Sequence, residues 1–307
     1  MNETPVVSAK NLSKSFGAIH ALDNVSLDIH PGRIVGLVGA NGGGKSTLMR
    51  HMIGLYLPDS GSCLTLGVEA ARLGPAELAR IGYVHQEGEL IDWMSVAQLI
   101  RYVATYYPNW NLDLEHRYVA EFELDLKSRV GALSPGQRQK LAVLLAIGFE
   151  PQLLILDEPA AAMDPLARGD FLNLLIEMIQ TPGRTILISS HILTDIEKVV
   201  DHILIMEKGR FLCDSPLDEL RERFHKIRLT SLGGKLPEKL PFQNIVEEKR
   251  NGTQAVLTLA ECAKTKEELD AVADSIQCQA EILPFPLEDI YRLIVEPKTT
   301  ANGRSRK

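Results

Sequence analysis

The chain has 307 residues, 45% of them hydrophobic, enough for one large packed domain and a smaller one. Its 33 Lys and Arg stand against 40 Asp and Glu, so the formal net charge is -7 and no nucleic-acid partner is expected. Residues 1–10 show no basic segment followed by an apolar core, so no signal peptide is expected, and no apolar run approaches the ~18 residues of a spanning helix.

Residues 6–11 and 25–29 alternate apolar and polar side chains, as antiparallel strands with one wet face do. His30-Pro31-Gly32 is a turn, and residues 34–38 form a near-continuous apolar run that suits a strand buried on both faces. A glycine-rich loop follows, then a helix over 46–53. Pro58-Asp59-Ser60-Gly61 is another turn, ahead of a strand at 63–66, a short helix at 75–80 and a strand at 81–85. Residues 96–149 are mostly helical, with a loop at Pro108-Asn109-Trp110-Asn111, and read as a helical subdomain inserted over about 87–148. The short apolar runs 153–156 and 185–189 predict buried parallel strands, with a helix at 170–180 between them. Residues 203–207 and 210–213 flank Lys208-Gly209 as a closing hairpin.

The composition shifts after about residue 220, and residues 221–296 read as a small α/β accessory domain. Strands are predicted at 226–230, 245–249, 254–259 and 281–285, with helices at 266–276 and 287–295 and a hairpin turn at Asn251-Gly252. Residues 297–307 are polar and predict a disordered tail. Cys63, Cys213, Cys262 and Cys278 are scattered without zinc-ligand spacing and read as reduced thiols of a cytosolic protein.

Gly39-Ala40-Asn41-Gly42-Gly43-Gly44-Lys45-Ser46-Thr47 satisfies the phosphate-loop pattern between a strand and a helix. Its glycines let backbone N–H groups turn inward around a β-phosphate, and the helix N-terminus adds a favourable dipole. Lys45 is placed to neutralise the β- and γ-phosphates, and the Ser46 hydroxyl to bind Mg²⁺. Asp157 ends a buried strand, where a carboxylate can hold Mg²⁺ through water, and Glu158 beside it is the candidate general base.

With Leu133-Ser134-Pro135-Gly136-Gln137 placed ahead of Asp157-Glu158-Pro159, the chain resembles the ABC-type ATPases over residues 6–220. These are the nucleotide-binding subunits of ATP-binding-cassette transporters. The resemblance implies a phosphate-loop NTPase core with an antiparallel β subdomain, and ATP and Mg²⁺ as ligands. Gln86 takes the place of the family's hinge glutamine, a ligand of Mg²⁺ and water. His191 matches the switch histidine that contacts the γ-phosphate, and Phe16 the aromatic that stacks on adenine. Asp164 matches the acid of the loop that crosses the dimer interface; Ala161 replaces a serine common there.

The resemblance further implies a second ABC subunit, as homodimer or heterodimer, and a polytopic membrane permease docked over residues 86–107, where Trp93, Met94, Tyr106 and Tyr107 cluster. The protein is then expected in the cytoplasm, on the inner face of the membrane. In the family Ser134, Gly136 and Gln137 face the γ-phosphate held by the partner. Pro135 stands where the family has glycine; proline suits a first helical turn but removes one backbone donor. Leu287-Glu288-Asp289-Ile290-Tyr291 resembles the ending of bacterial drug-exporter subunits and favours export. The alternative is a soluble ABC ATPase uncoupled from transport, against which a single cassette without a long coiled coil argues.

Overall fold

The computed structural model describes residues 4–86, 89–262 and 265–296; the tail expected at 297–307 lies outside them. The chain divides into two compact units after Asp214, so that the short helix Leu217–Glu222 belongs to the second unit although composition placed the shift near 220.

In chain order the first unit contains β1 (Val7–Phe16), β2 (Ile19–Ile29), β3 (Ile34–Val38), α1 (Lys45–Met52), β4 (Ser60–Thr65), β5 (Val68–Glu69), α2 (Pro75–Leu78) and β6 (Ile81–Val84). There follow α3 (Val96–Ala104), α4 (Leu112–Glu121), α5 (Pro135–Ile147), β7 (Leu153–Leu156), α6 (Pro165–Ile179), β8 (Thr185–Ser190), α7 (Leu193–Ile196), β9 (His202–Glu207) and β10 (Arg210–Pro216), whose last two residues fall past the division.

An antiparallel sheet has the order β2-β1-β4-β5. Its first strand runs five residues beyond the apolar alternation, through Lys14 and Ser15, because cross-strand pairing with Leu22 and His20 continues there. The alternation also fails at its start, where Val7, Ser8 and Ala9 are all buried. The second sheet has the order β10-β9-β3-β8-β7-β6. Strands β9, β3, β8, β7 and β6 run parallel. Every residue of β3 and β7 is buried, which explains the unbroken apolar runs. Leu37, Ile155 and Leu187 of this sheet share a core with Leu48 and Met52 of α1. The β9–β10 connection turns at Lys208 (φ 48) and Gly209 (φ 75), the left-handed pair that a two-residue hairpin demands.

The helical block contains α3, α4 and α5, each opened by a side-chain cap: Ser95, Asn111 and Ser134 accept from the N–H of Gln98, Leu114 and Gln137.

The second unit contains α8 (Leu217–Glu222), β11 (Phe224–Ser231), β12 (Ile245–Asn251), β13 (Gln254–Ala260), α9 (Lys266–Asp274), β14 (Cys278–Leu283) and α10 (Leu287–Val295). The antiparallel order β12-β13-β11-β14 is that of a β-α-β-β-α-β plan. Its first crossover is a loop, which lays Phe242 into the core with Ile227, Leu257 and Leu269. The β12–β13 turn sits one residue later than Asn251-Gly252 suggests: Asn251 already pairs with Gln254, and Gly252 (φ 58) opens the loop.

Candidate nucleotide site

The loop between β3 and α1 is shaped by its lack of side chains. A Cβ on Gly39 would lie 2.1 Å from the Met206 carbonyl oxygen, and one on Gly44, at φ 106, would lie 2.5 Å from that of Ala21. Backbone alone fits at both positions. Lys45 opens α1 and is buried, its Nζ donating to the carbonyls of Gly39 at 2.8 Å and Ala40 at 3.3 Å. A cleft of about 490 Å³ lies over this loop, lined by Phe16, Ile19, Asn41, Gly42, Gly43, Gly44, Lys45, Ser46, Thr47, Gln86 and Glu158. Phe16 is 43% exposed. Its ring meets the edge of Tyr56 at 5.4 Å, with the Lys14 ammonium 5.6 Å away.

Parallel pairing of Leu156 with Ile188 brings the ends of β7 and β8 together. Ser189, which the motifs do not single out, joins them: its hydroxyl donates to Asp157 Oδ1 at 2.8 Å and accepts from the Glu158 N–H at 2.9 Å. Its one signal in the sequence is a hydroxyl at the end of an apolar strand. Glu158 is held at φ 50, a left-handed conformation that a non-glycine residue adopts at a cost. Its Oε2 accepts from the His191 backbone N–H at 3.3 Å and hydrogen-bonds the His191 Nδ1 at 2.7 Å. Its Oε1 lies 3.7 Å from Lys45 Nζ.

Asp157 Oδ2 and Glu158 Oε1 are buried without a hydrogen-bond donor. Buried carboxylate oxygens in that state are costly unless a cation or water meets them. Ser46 and Gln86 line the cleft and Asp157 follows β7; a hydroxyl, an amide oxygen and a carboxylate are hard oxygen donors of the kind Mg²⁺ takes together with substrate phosphates. Among the described residues no three His, Cys, Asp or Glu cluster as a self-sufficient metal site.

Ser134, Gly136 and Gln137 are not among the residues lining the cleft. They form the first turn of α5, with Pro135 as its first helical residue. Ser134 Oγ accepts from the Gln137 N–H at 3.3 Å, and Gln137 Oε1 accepts from the Ser134 N–H at 3.1 Å. This reciprocal box satisfies two otherwise orphaned donors. A Cβ on Gly136 would come 3.0 Å from the Ala162 carbonyl, so this turn lies beside the segment that leads to Asp164. Asp164 caps α6, its Oδ1 accepting from the N–H groups of Leu166 and Ala167 at 3.0 Å. The Ala167 and Leu166 bonds hold its carboxyl below the usual range.

The residues expected to meet a permease separate by packing. Trp93 is 68% exposed and Tyr106 64%, whereas Tyr107 stacks on Phe149 at 3.8 Å. No helix among the described residues is long and apolar enough to cross a membrane.

Residues 22–161 match the family described as ABC transporter. The chain is 31% identical over 224 residues to the ABC transporter ATP-binding protein YtrB of Bacillus subtilis (strain 168), covering 73% of this chain and 76% of that protein. It is 31% identical over 222 residues to the Nod factor export ATP-binding protein I of Cupriavidus metallidurans, covering 71% and 73%. It is 30% identical over 249 residues to the Ribose import ATP-binding protein RbsA of Corynebacterium glutamicum, covering 77% of this chain but 47% of that protein. A solved ATP binding subunit of an ABC transporter superposes with a TM-score of 0.64 at 30% identity, over 70% of this chain and 92% of that one. The cassette MJ0796, solved as a dimer bound to ADP and Pi, superposes with a TM-score of 0.62 at 24% identity, over 69% and 98%, and shares the fold.

Proposed function

The chain belongs to the ABC transporter ATP-binding proteins, and from that premise we propose that it hydrolyses Mg²⁺-ATP in a sandwich of two cassettes and so drives a separate polytopic permease that exports its substrate. The observation that carries this reading is the state of Glu158: one carboxylate oxygen is held by His191, while the other is buried, undonated and 3.7 Å from Lys45.

Phe16 stacks on the adenine, and the N–H groups of residues 39–47 surround the β-phosphate. Lys45 exchanges the carbonyl of Gly39 for the β- and γ-phosphates. Ser46, Gln86 and, through water, Asp157 would hold a Mg²⁺ ion, which would supply charge neutralisation on the phosphate oxygens. Glu158 Oε1 takes a proton from a water molecule; the water oxygen bonds to the γ-phosphorus as its bond to the bridging oxygen breaks, and ADP and inorganic phosphate leave. His191 fixes the carboxylate through Oε2 and reaches the γ-phosphate. Ser134, Gly136 and Gln137 complete the partner's site rather than their own, with one backbone donor fewer at Pro135. Asp164 stands at the interface, and two copies or two related subunits satisfy this arrangement equally.

Export is favoured by the Leu287-Glu288-Asp289-Ile290-Tyr291 segment that opens α10 and by the likeness to an ATPase named for Nod factor export. Exposed Trp93 and Tyr106 are proposed to meet the permease, which would place the protein at the cytoplasmic face of the membrane. Glu158→Gln is expected to slow steady-state hydrolysis by ~10²–10⁴-fold while leaving ATP binding intact. Turnover near the wild-type rate would refute the general-base assignment.

A further inference from the structure

Helix α1 carries the phosphate loop at one end and Arg50 in its last turn. The Arg50 guanidinium donates through Nη1 to the Tyr56 hydroxyl at 2.8 Å and through Nη2 to His85 Nε2. It also lies 5.5 Å from the Tyr56 ring centroid. Tyr56 in turn supports Phe16 edge-on, at the base end of the cleft. His85 directly precedes Gln86, which lines the cleft beside Glu158. One planar, permanently charged fork therefore joins the residue that backs Phe16 to the residue that precedes Gln86.

We propose that Arg50 is a positioning residue for hydrolysis: by holding Tyr56 and His85 on one guanidinium, it sets where Gln86 stands relative to the phosphate loop and ties that position to the wall that receives the base. The inference rests on the roles given above to Phe16 and Gln86. A guanidinium can only donate, so His85 Nε2 is the acceptor of this bond. A guanidinium has five donors in a fixed geometry, and a lysine at this position could not span both partners with the same orientation.

The test is ATP hydrolysis by purified full-length protein carrying Arg50→Met, His85→Ala or both, each titrated with Mg²⁺. Arg50→Met keeps an unbranched stem and removes the donors. It is expected to lower kcat by about tenfold or more, since small displacements of a positioned group cost that much. It should also raise the Mg²⁺ concentration needed for half-maximal activity, and ATP affinity measured on a Glu158→Gln background should stay within about twofold. The double variant should be no worse than the poorer single one, because both break the same link. His85→Gln, which keeps an acceptor oxygen, should recover most of the activity lost in His85→Ala. Additive losses, a raised KM with unchanged kcat, or no recovery by His85→Gln would overturn the proposal. If Arg50→Met does not fold, the two His85 variants carry the test alone. Activity in the wild type that is lost in Glu158→Gln upholds the hydrolytic reading whatever Arg50 does, so the two failures are distinguishable.

Discussion

Lys45 and Glu158 are both buried and lie 3.7 Å apart at the foot of the cleft. An ammonium and a carboxylate so enclosed each depend on their partners, and nucleotide phosphates offer Lys45 a stronger partner than two loop carbonyls. Lys45→Ala is expected to abolish measurable ATP affinity; calorimetry showing unchanged binding would contradict its role. The phosphate loop and the Asp157-Glu158 pair were legible in the sequence because each is a contiguous pattern whose chemistry follows from residue type and spacing. Ser189 and Arg50 were not. Their significance lies in partners 32 and 35 residues away, brought close by parallel pairing of strands and by packing of α1 beside the end of β6.

At the scale of elements, the helix starts carry most of the meaning. Pro135 occupies the first position of α5, where a missing N–H leaves no intrahelical bond unmade, and the Ser134–Gln137 box closes the turn regardless of it. A proline is therefore compatible with the cap geometry at this position. For α6, residues 170–180 were expected, and the helix begins at Pro165 with Gly169 inside it. The resemblance assigns Asp164 to the loop that crosses the dimer interface, and its place as the cap of that helix was not read from the sequence.

Because backbone donors depress its carboxyl pKa, Asp164 contributes stability above its unfolded pKa of roughly 4, and loses that contribution as pH falls through the lower folded value. Thermal unfolding of Asp164→Asn should fall below wild type at neutral pH, and the gap should close in acid below the folded pKa. A gap that stayed constant with pH would show that the ionised cap is not the cause. The fully buried strands β3 and β7 were placed to the residue because both faces demand apolar side chains. The extension of β1 was hidden by its polar Ser13, Lys14 and Ser15, which pair across the sheet without an apolar signal.

At the scale of the molecule, the first unit holds in separate places the two groups of residues that the proposed function assigns to one site. The phosphate loop, Phe16, Gln86 and Glu158 line the cleft, whereas Ser134, Gly136 and Gln137 open α5 and are not part of that lining. In the proposed sandwich a second cassette completes this arrangement, and binding energy at the shared nucleotide would hold the two together until hydrolysis removes the γ-phosphate. Nucleotide state is proposed to control this association. Light scattering of the Glu158→Gln variant tests it most directly: a dimer with Mg²⁺-ATP and a monomer with ADP is the predicted result, and the same mass in both nucleotides would contradict the account.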